Sequence, residues 1–171
     1  MQGQDPDELF DVVDENDQVV GVMPRREVHR LGLRHRAVHV LLFNGRGEIF
    51  LQKRSLFKDA NPGLKSTSCA GHLDAGEHYD DAARRELGEE LGLAPGSIPE
   101  LTFLFKLPPS RATGMEFVRI YQGVHNGPFT LNLAEVESGE WISPAALDRS
   151  LADHPRDYTP SLALIWGEFR K

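Results

Sequence analysis

The chain lacks three features that would each assign it to a particular class of protein. Its single cysteine, Cys69, has no partner for an internal disulfide, which fits a reducing compartment. No apolar run approaches the roughly 18 residues that a membrane span needs. The N-terminal segment also lacks the basic and apolar regions of a signal peptide. These absences predict a cytoplasmic protein with no membrane partner.

Positive charge is also scarce, with 19 Lys and Arg residues against 26 Asp and Glu and a formal net charge of −7. Proteins that bind along a nucleic-acid backbone need a basic surface, so we expect no nucleic-acid partner. A single nucleotide remains compatible, because a bridging cation can supply the missing positive charge. The length of 171 residues and the hydrophobic content of 40% fit one domain with a core.

The pattern of apolar residues and turns predicts alternating strands and helices. Strands are expected over residues 9–13, 19–23, 35–43, 49–54, 101–107, 116–124 and 140–142. Helices are expected over residues 79–91 and after the Ser143-Pro144 and Thr159-Pro160 pairs, with a helical turn over 24–29 and a loop over 55–65. Residues 1–8 are polar and predicted to be flexible, which leaves one domain over 9–171. This order indicates a mixed β-sheet covered by helices.

The predicted helix over residues 79–91 carries acids in unfavourable places. Glu86, Glu89 and Glu90 fall within an arc of roughly 100° at the edge of the apolar stripe. Glu86 and Glu90 repel each other at a spacing of four residues, and acids in the last turn oppose the helix dipole. A divalent cation would reverse both penalties. Gly71 could turn the backbone sharply and offer its carbonyl as a ligand. The alternative is an ordinary exposed, glutamate-rich helix.

Residues 71–93, GHLDAGEHYDDAARRELGEELGL, resemble the Nudix box. Every defined position of that motif is matched, by Gly71, Glu77, Arg85, Glu86, Leu87, Glu89, Glu90, Gly92 and Leu93. The resemblance implies an α/β fold, an α/β/α sandwich around a mixed β-sheet. It also implies hydrolysis of a nucleoside diphosphate linked to a group X, with Mg²⁺ or Mn²⁺ as cofactor.

The same resemblance implies roles for individual residues. Glu86, Glu89 and Glu90 would hold the metal ions together with the Gly71 carbonyl, and one of the acids would act as general base. Arg85 would orient the acids, and Glu77 would brace the loop. Water would then attack a phosphorus of the pyrophosphate link.

Beyond the box, the segments HRLGLRHRAVHVLLFN, LQKRS, KDANPG and TSCAGHLDAGE resemble the Nudix subgroup that contains isopentenyl-diphosphate isomerase. The metal-binding histidines of that enzyme would correspond to His29, His35 and His72, and its catalytic glutamate to Glu116. Its catalytic cysteine would correspond to Ala70, because Cys69 is one residue early and faces the other way in a strand. Its other metal-binding glutamate would correspond to Gly114. The resemblance therefore implies a hydrolase that shares the isomerase-like framework.

Further residues are candidates with open alternatives. Arg54, Lys58 and Lys65 flank the loop before the box and would contact phosphates or be solvated surface charge. His29, His35 and His72 would form a second metal site, contact the nucleotide or lie at the surface. Glu135 and Glu116 are candidates for an additional catalytic acid. His39, in an apolar strand, is predicted to be a satisfied core histidine.

We therefore expect a metal-dependent hydrolase that acts on a small nucleotide, with nucleoside di- or triphosphates favoured by the small size of the chain. The protein would be a monomer or a homodimer. The alternatives are an isomerase of isopentenyl diphosphate and a non-catalytic module that binds nucleotides.

Overall fold

The computed structural model describes residues 4–171 and is organised around a seven-stranded mixed sheet. The strands in chain order are β1 Leu9–Val13, β2 Val19–Pro24, β3 His35–Phe43, β4 Ile49–Arg54, β5 Lys65–Ser66, β6 Cys69–His72, β7 Thr102–Leu107, β8 Glu116–Val124 and β9 Val136–Ile142. The helices are α1 Arg25–Leu31, α2 Tyr79–Leu91, α3 Pro144–Asp153 and α4 Pro160–Phe169, with short 3₁₀ turns at Pro95–Ser97 and Pro155–Asp157.

Strand β3 lies at the centre of the sheet. It pairs with β8 in parallel from His35↔Glu116 to Phe43↔Val124 and with β6 in antiparallel fashion from Ala37↔His72 to Val40↔Cys69. The main sheet runs β5-β4-β3-β8-β7, and β9 adds to β4, while β1 and β2 form a separate hairpin. The start of β3 therefore lies between the end of β6 and the start of β8.

The two faces of β3 contribute to two separate cores. Val38, Val40 and Leu42 pack against α2. Ala37 and Leu41 point the other way, into a core that includes residues of α3 and α4. The predicted α/β/α sandwich around a mixed sheet is thus confirmed.

Local sequence signals set where the helices begin and end. The Ser143 and Thr159 side chains cap α3 and α4 by accepting hydrogen bonds from the backbone N–H groups of Ala146 and Leu162. Helix α2 ends at Gly92, whose φ of 68° is the left-handed conformation that glycine tolerates best.

Most predicted elements are confirmed, and the differences have simple causes. Strand β9 begins at Val136, earlier than predicted. The prediction missed its first half because residues 137–140 are exposed and show no alternation of apolar and polar side chains. Lys65 begins the short strand β5 and does not end a loop. Of the predicted flexible segment 1–8, residues 1–3 lie outside the described residues. In the part of the chain that is described, no helix has both the length and the apolar character to cross a membrane.

Candidate functional site

The carboxylates of helix α2 lie where the helix meets strand β6. Glu86 and Glu90 are buried, at 8% and 1% relative exposure, and Glu89 is more accessible. Two acids of the arc predicted from helix geometry, Glu86 and Glu90, therefore face the protein, whereas Glu89 faces the solvent. Two buried acids one helical turn apart form a strongly charged patch that needs positive charge from elsewhere.

Gly71 in β6 makes room for the first of these acids. A Cβ atom at position 71 would lie 1.9 Å from both Cδ and Oε1 of Glu86. No side chain fits in that space while the carboxylate occupies it. The absence of a side chain at residue 71 thus lets the β6 backbone and the Glu86 carboxylate approach closely.

Arg85 ties the loop before α2 to the acids. Its Nε and Nη2 donate to the two carboxylate oxygens of Glu77 at 2.8 and 2.9 Å, and Nη2 also donates to the His72 carbonyl at 2.8 Å. Its Nη1 donates to Glu86 and to Glu89, each at 2.9 Å. Burial alone would raise the pKa of Glu77, but the hydrogen bonds from Arg85 lower it. Arg85 and Glu77 therefore form an ion-paired brace that positions Glu86 and Glu89.

Glu90 is held from the other side of α2. Its Oε2 accepts hydrogen bonds from Gln52 Nε2 at 2.8 Å and from the Ala70 backbone N–H at 3.2 Å. Lys58 Nζ lies 3.5 Å from Glu90 Oε1 and also pairs with Glu135. Lys58 thus links Glu135, from the loop before β9, to the α2 acids.

The acids themselves are under electrostatic strain. Burial, followed by repulsion from Glu90, raises the pKa of Glu86 well above its ordinary value. A cation bound between the two carboxylates would oppose both effects. The donor set of carboxylate oxygens is the one that hard divalent cations prefer.

A second cluster of candidate ligands lies at the start of β3. His29 from α1, His35 from β3 and His72 from β6 bring ring nitrogens within 4.8 Å of one another. Glu116 at the start of β8 joins them, with Oε1 2.9 Å from His72 Nε2 and 3.5 Å from His35 Nε2. The strand register places His35 opposite Glu116, so this cluster follows directly from the parallel pairing of β3 with β8.

The hydrogen bonds of this cluster define its tautomers. Arg25 Nη1 donates to His72 Nδ1 at 3.1 Å, so the hydrogen of His72 is on Nε2, which donates to Glu116. His35 Nδ1 donates to the Leu33 carbonyl at 2.9 Å. Its Nε2 is buried, faces Glu116 Oε1 at 3.5 Å and has no hydrogen-bond partner among the described residues. A histidine anchored through Nδ1 with Nε2 free has the arrangement of a metal ligand.

Two adjoining cavities connect these clusters. The smaller, about 130 Å³, is lined by acids and cations that include Glu8, Lys58, Glu86, Glu89 and Glu135. The larger, about 470 Å³, extends past the histidines toward the start of α4. Both cavities are lined by Gln4, Arg25, Lys58, Ala70, Gly71 and His72. A substrate held at the α2 acids would therefore extend into the larger cavity.

The structure places some of the predicted substrate-binding residues at the cavities and one outside them. Arg54, Lys58 and His72 line the larger cavity, as does Glu116. Lys65 lines neither cavity in the described part of the chain. Its ammonium pairs with Glu140 at 2.5 Å and lies over the Tyr158 ring. Lys65 therefore lies outside both cavities.

Several residues of the site were missed by the sequence reasoning. Arg25 is almost fully buried and donates to Asp59 and Gln4 as well as to His72. Burial and a hydrogen bond to Asp74 raise the pKa of Glu8 to about 7. Residues near the N-terminus thus reach both cavities. In the sequence, Arg25 and Arg26 are adjacent at the start of a short predicted helix, and no local signal distinguishes the buried Arg25 from its exposed neighbour.

The orientation of Cys69 and Ala70 follows the strand alternation of β6. Cys69 is fully buried in the core beneath α2, and that burial raises the pKa of its thiol. Ala70 points to the opposite face and lines the larger cavity. The residue that faces the cavity at the isomerase cysteine position therefore has no thiol.

The comparisons with known proteins agree with this geometry. A sequence model described as the NUDIX domain matches residues 33–163. An isopentenyl-diphosphate Delta-isomerase of Burkholderia multivorans is 34% identical over 154 residues, which cover 90% of this chain and 88% of that protein.

Two further relatives have no isomerase name. An uncharacterized Nudix hydrolase of Pseudomonas aeruginosa is 36% identical over 138 residues, covering 80% of this chain and 79% of that protein. A crystal structure from Deinococcus radiodurans matches with a TM-score of 0.82 and 27% identity, covering 94% of this chain and 98% of that one. The similarity therefore covers most of the chain and includes both a relative named as an isomerase and a relative named as a Nudix hydrolase.

Proposed function

The chain belongs to the Nudix family, and from this premise we propose that it is a divalent-cation-dependent hydrolase that cleaves a pyrophosphate bond in a nucleotide. The observation that carries the proposal is the buried pair of Glu86 and Glu90 against the side-chain-free backbone of Gly71. Two carboxyl groups are kept in one buried place, and ionising both is costly unless a cation joins them. The substrate would be a nucleoside diphosphate linked to a group X.

The cation would be Mg²⁺, with Mn²⁺ as a substitute. Glu86 and Glu90 would hold it, with Glu89 and the Gly71 carbonyl as further ligands, because oxygen donors suit both ions. When bound, the cation neutralises phosphate charge and lowers the pKa of water.

The remaining residues would position the substrate and transfer the proton. Lys58 and Arg54 would neutralise the phosphate chain. Glu89 would take the proton from the attacking water, because its carboxylate is the most exposed of the three and lines the smaller cavity. Glu135 would support this step through Lys58.

Conservative removal of the ligands tests the proposal. Glu86→Gln and Glu90→Gln keep the shape of the side chain but remove its charge, so turnover should fall by on the order of 10²–10⁴-fold. Phosphate release from a panel of nucleotides with Mg²⁺ gives the rates. Glu27→Gln, at a half-exposed glutamate of α1 that pairs with Arg30, is the matched control and should leave the rate unchanged. Normal rates in both ligand variants would refute the proposal, and tight nucleotide binding without turnover in the wild type would indicate a binding module instead.

The histidine cluster raises a second candidate function, isomerisation of isopentenyl diphosphate, which the residue at position 70 disfavours. His29, His35, His72 and Glu116 form a donor set suited to a transition metal, and His35 Nε2, which has no hydrogen-bond partner among the described residues, fits a ligand role. Isomerisation of isopentenyl diphosphate would also need a proton-transferring thiol, and Ala70 occupies that place. We therefore expect no isomerase activity in a direct assay but measurable bound metal by elemental analysis, reduced in His35→Gln. Isomerase activity in the wild-type chain would reverse the order of the two candidates.

A further inference from the structure

His39 lies on the wall of the larger cavity and belongs to neither metal cluster. It sits in the middle of β3, opposite Ala70 of β6, and is 5% exposed. The sequence reasoning predicted a satisfied core histidine. The structure confirms that one ring nitrogen is satisfied, but the ring also borders the cavity.

The hydrogen bonds around His39 leave one nitrogen available. The Thr67 hydroxyl donates to the Cys69 carbonyl at 3.2 Å, so its oxygen is free to accept from His39 Nδ1 at 2.7 Å. This tautomer places a lone pair on Nε2. Over residues 4–171 this atom has no hydrogen-bond partner, and it is not among the polar atoms sealed from solvent.

The ring remains neutral at ordinary pH. Burial lowers the pKa of His39 to about 4. The cavity therefore contains a neutral hydrogen-bond acceptor in this place and not a cation for phosphate. A hydroxyl or amide N–H is the group that such an acceptor binds.

The neighbouring wall also carries hydroxyl groups. Thr159 Oγ1 accepts from the Leu162 backbone N–H and from Ser161 Oγ, and it donates to Ser66 Oγ at 3.5 Å. The Ser66 hydroxyl at the end of this chain keeps its own hydrogen for a ligand. All three hydroxyl side chains line the larger cavity.

The flat groups of this cavity, in contrast, are imidazoles and guanidiniums, such as those of His29, His72 and Arg54. Within the described chain, the residues that line the larger cavity include no Phe, Tyr or Trp. Stacking on such side chains is worth roughly 1–3 kcal/mol per base in proteins that bind bases. A nucleobase would find none of these three ring types here, whereas a hydroxyl-bearing group would find an acceptor in His39 Nε2 and a donor in the Ser66 hydroxyl.

We propose that the larger cavity binds a hydroxyl-bearing, non-aromatic group X of the sugar class and that His39 Nε2 accepts a hydrogen bond from one of its hydroxyls. This rests on the proposed function, since the phosphate chain at the α2 acids would direct X into the cavity. His39 is then a residue that determines which X is accepted. It touches substrate without taking part in the bond cleavage.

A comparison of two substrates with the same base tests the assignment. Kinetics are measured for UDP-glucose and UTP with Mg²⁺, using wild type, His39→Leu and His39→Gln. The wild type should favour UDP-glucose in kcat/KM. His39→Leu should lower kcat/KM for UDP-glucose by about 10–100-fold, mainly through KM, because a site built to bind a hydroxyl loses that contact. The value for UTP should change by less than about threefold, and the amide oxygen of His39→Gln should recover part of the loss.

The outcomes separate this inference from the function on which it rests. Hydrolysis of UTP with no preference for UDP-glucose, or equal losses on both substrates in His39→Leu, overturns the role of His39 and leaves the hydrolase standing. No hydrolysis of any pyrophosphate-linked nucleotide by the wild type overturns both. If His39→Leu melts too low to assay, Ser161→Ala on the half-buried end of the wall should show the same selective rise in KM for UDP-glucose.

Discussion

Gly71 has no side chain, and its surroundings in the site are crowded. Its backbone reaches the Glu86 carboxylate so closely that even one methyl group would overlap with it. The atoms that would be displaced are at the end of a flexible side chain. The requirement for glycine at this position therefore comes from the acid it faces and not from the fold.

We predict that Gly71→Ala keeps the fold but loses activity. The new methyl group should push the Glu86 carboxylate out of place, and a displacement of about 1 Å in a catalytic group can cost about 100-fold in rate. Hydrolysis rates and thermal melting should be measured together. Gly96→Ala is the control, because a Cβ there would meet nothing within 4 Å. A Gly71→Ala enzyme as fast as wild type would mean that Glu86 need not occupy its present position.

At the scale of elements, helix α2 supplies the acids and is fastened at both ends. Arg85 joins it to the preceding loop through Glu77, and Gln52 of β4 holds the Glu90 carboxylate. Gly88 lies in the interior of this helix, where glycine costs about 1 kcal/mol relative to alanine. A Cβ at Gly88 would lie 3.3 Å from the Leu93 carbonyl, so the close passage of the chain after the helix explains the residue.

Helix α4 contains a glycine without such a neighbour. A Cβ at Gly167 would meet nothing within 4 Å, and its backbone is helical. Gly167→Ala should therefore stabilise the protein by about 0.5–1 kcal/mol, mainly by restricting the unfolded chain. Chemical denaturation measures the change. Gly88→Ala is the matched comparison and should gain less, so an equal gain in both would show that the Leu93 carbonyl does not constrain α2.

At the scale of the whole molecule, the fold brings acidic and basic side chains together on one side of the sheet. The smaller cavity gathers acids from α2 and from the loop before β9, and the cations Arg25, Lys58 and Arg85 balance them only in part. Glu86 and Glu90 remain buried carboxyl groups one helical turn apart, and ionising both is unfavourable. The stability of the protein should therefore depend on the cation that joins them.

We predict that Mg²⁺ raises the melting temperature of the wild type. At 100 times its Kd, a ligand of the folded state adds about 2.7 kcal/mol, which corresponds to a rise of about 5–10 °C for a domain of this size. Differential scanning calorimetry with and without Mg²⁺ measures it. Mg²⁺ disfavours imidazole ligands, so the histidine cluster should contribute little. Glu90→Gln should remove most of the rise, whereas an undiminished rise would place the cation elsewhere.

The limits of sequence reasoning are visible in the same regions. Hydrophobic alternation and caps located β3, α2, α3 and α4, because these signals depend on neighbours in the chain. Strand β9 was predicted too short because its exposed residues show no alternation of apolar and polar side chains. In the structure it is recognised by its pairing with β4, which is distant in the chain. Arg25 was missed because its burial depends on contacts with Asp59 and His72, which are distant in the chain.

The sequence by itself determined the acidic site, since residues 71–93 specify both the helix and the spacing of its acids through local geometry. Only the tertiary structure decided which groups meet them. The pairing of β3 with β6 and β8 brings His35, His72 and Glu116 together, turns Ala70 toward the cavity and turns Cys69 away. Strand register is set by packing between distant segments, and it decides which face each side chain occupies. The pocket for the substrate is therefore a property of the sheet and not of any single segment.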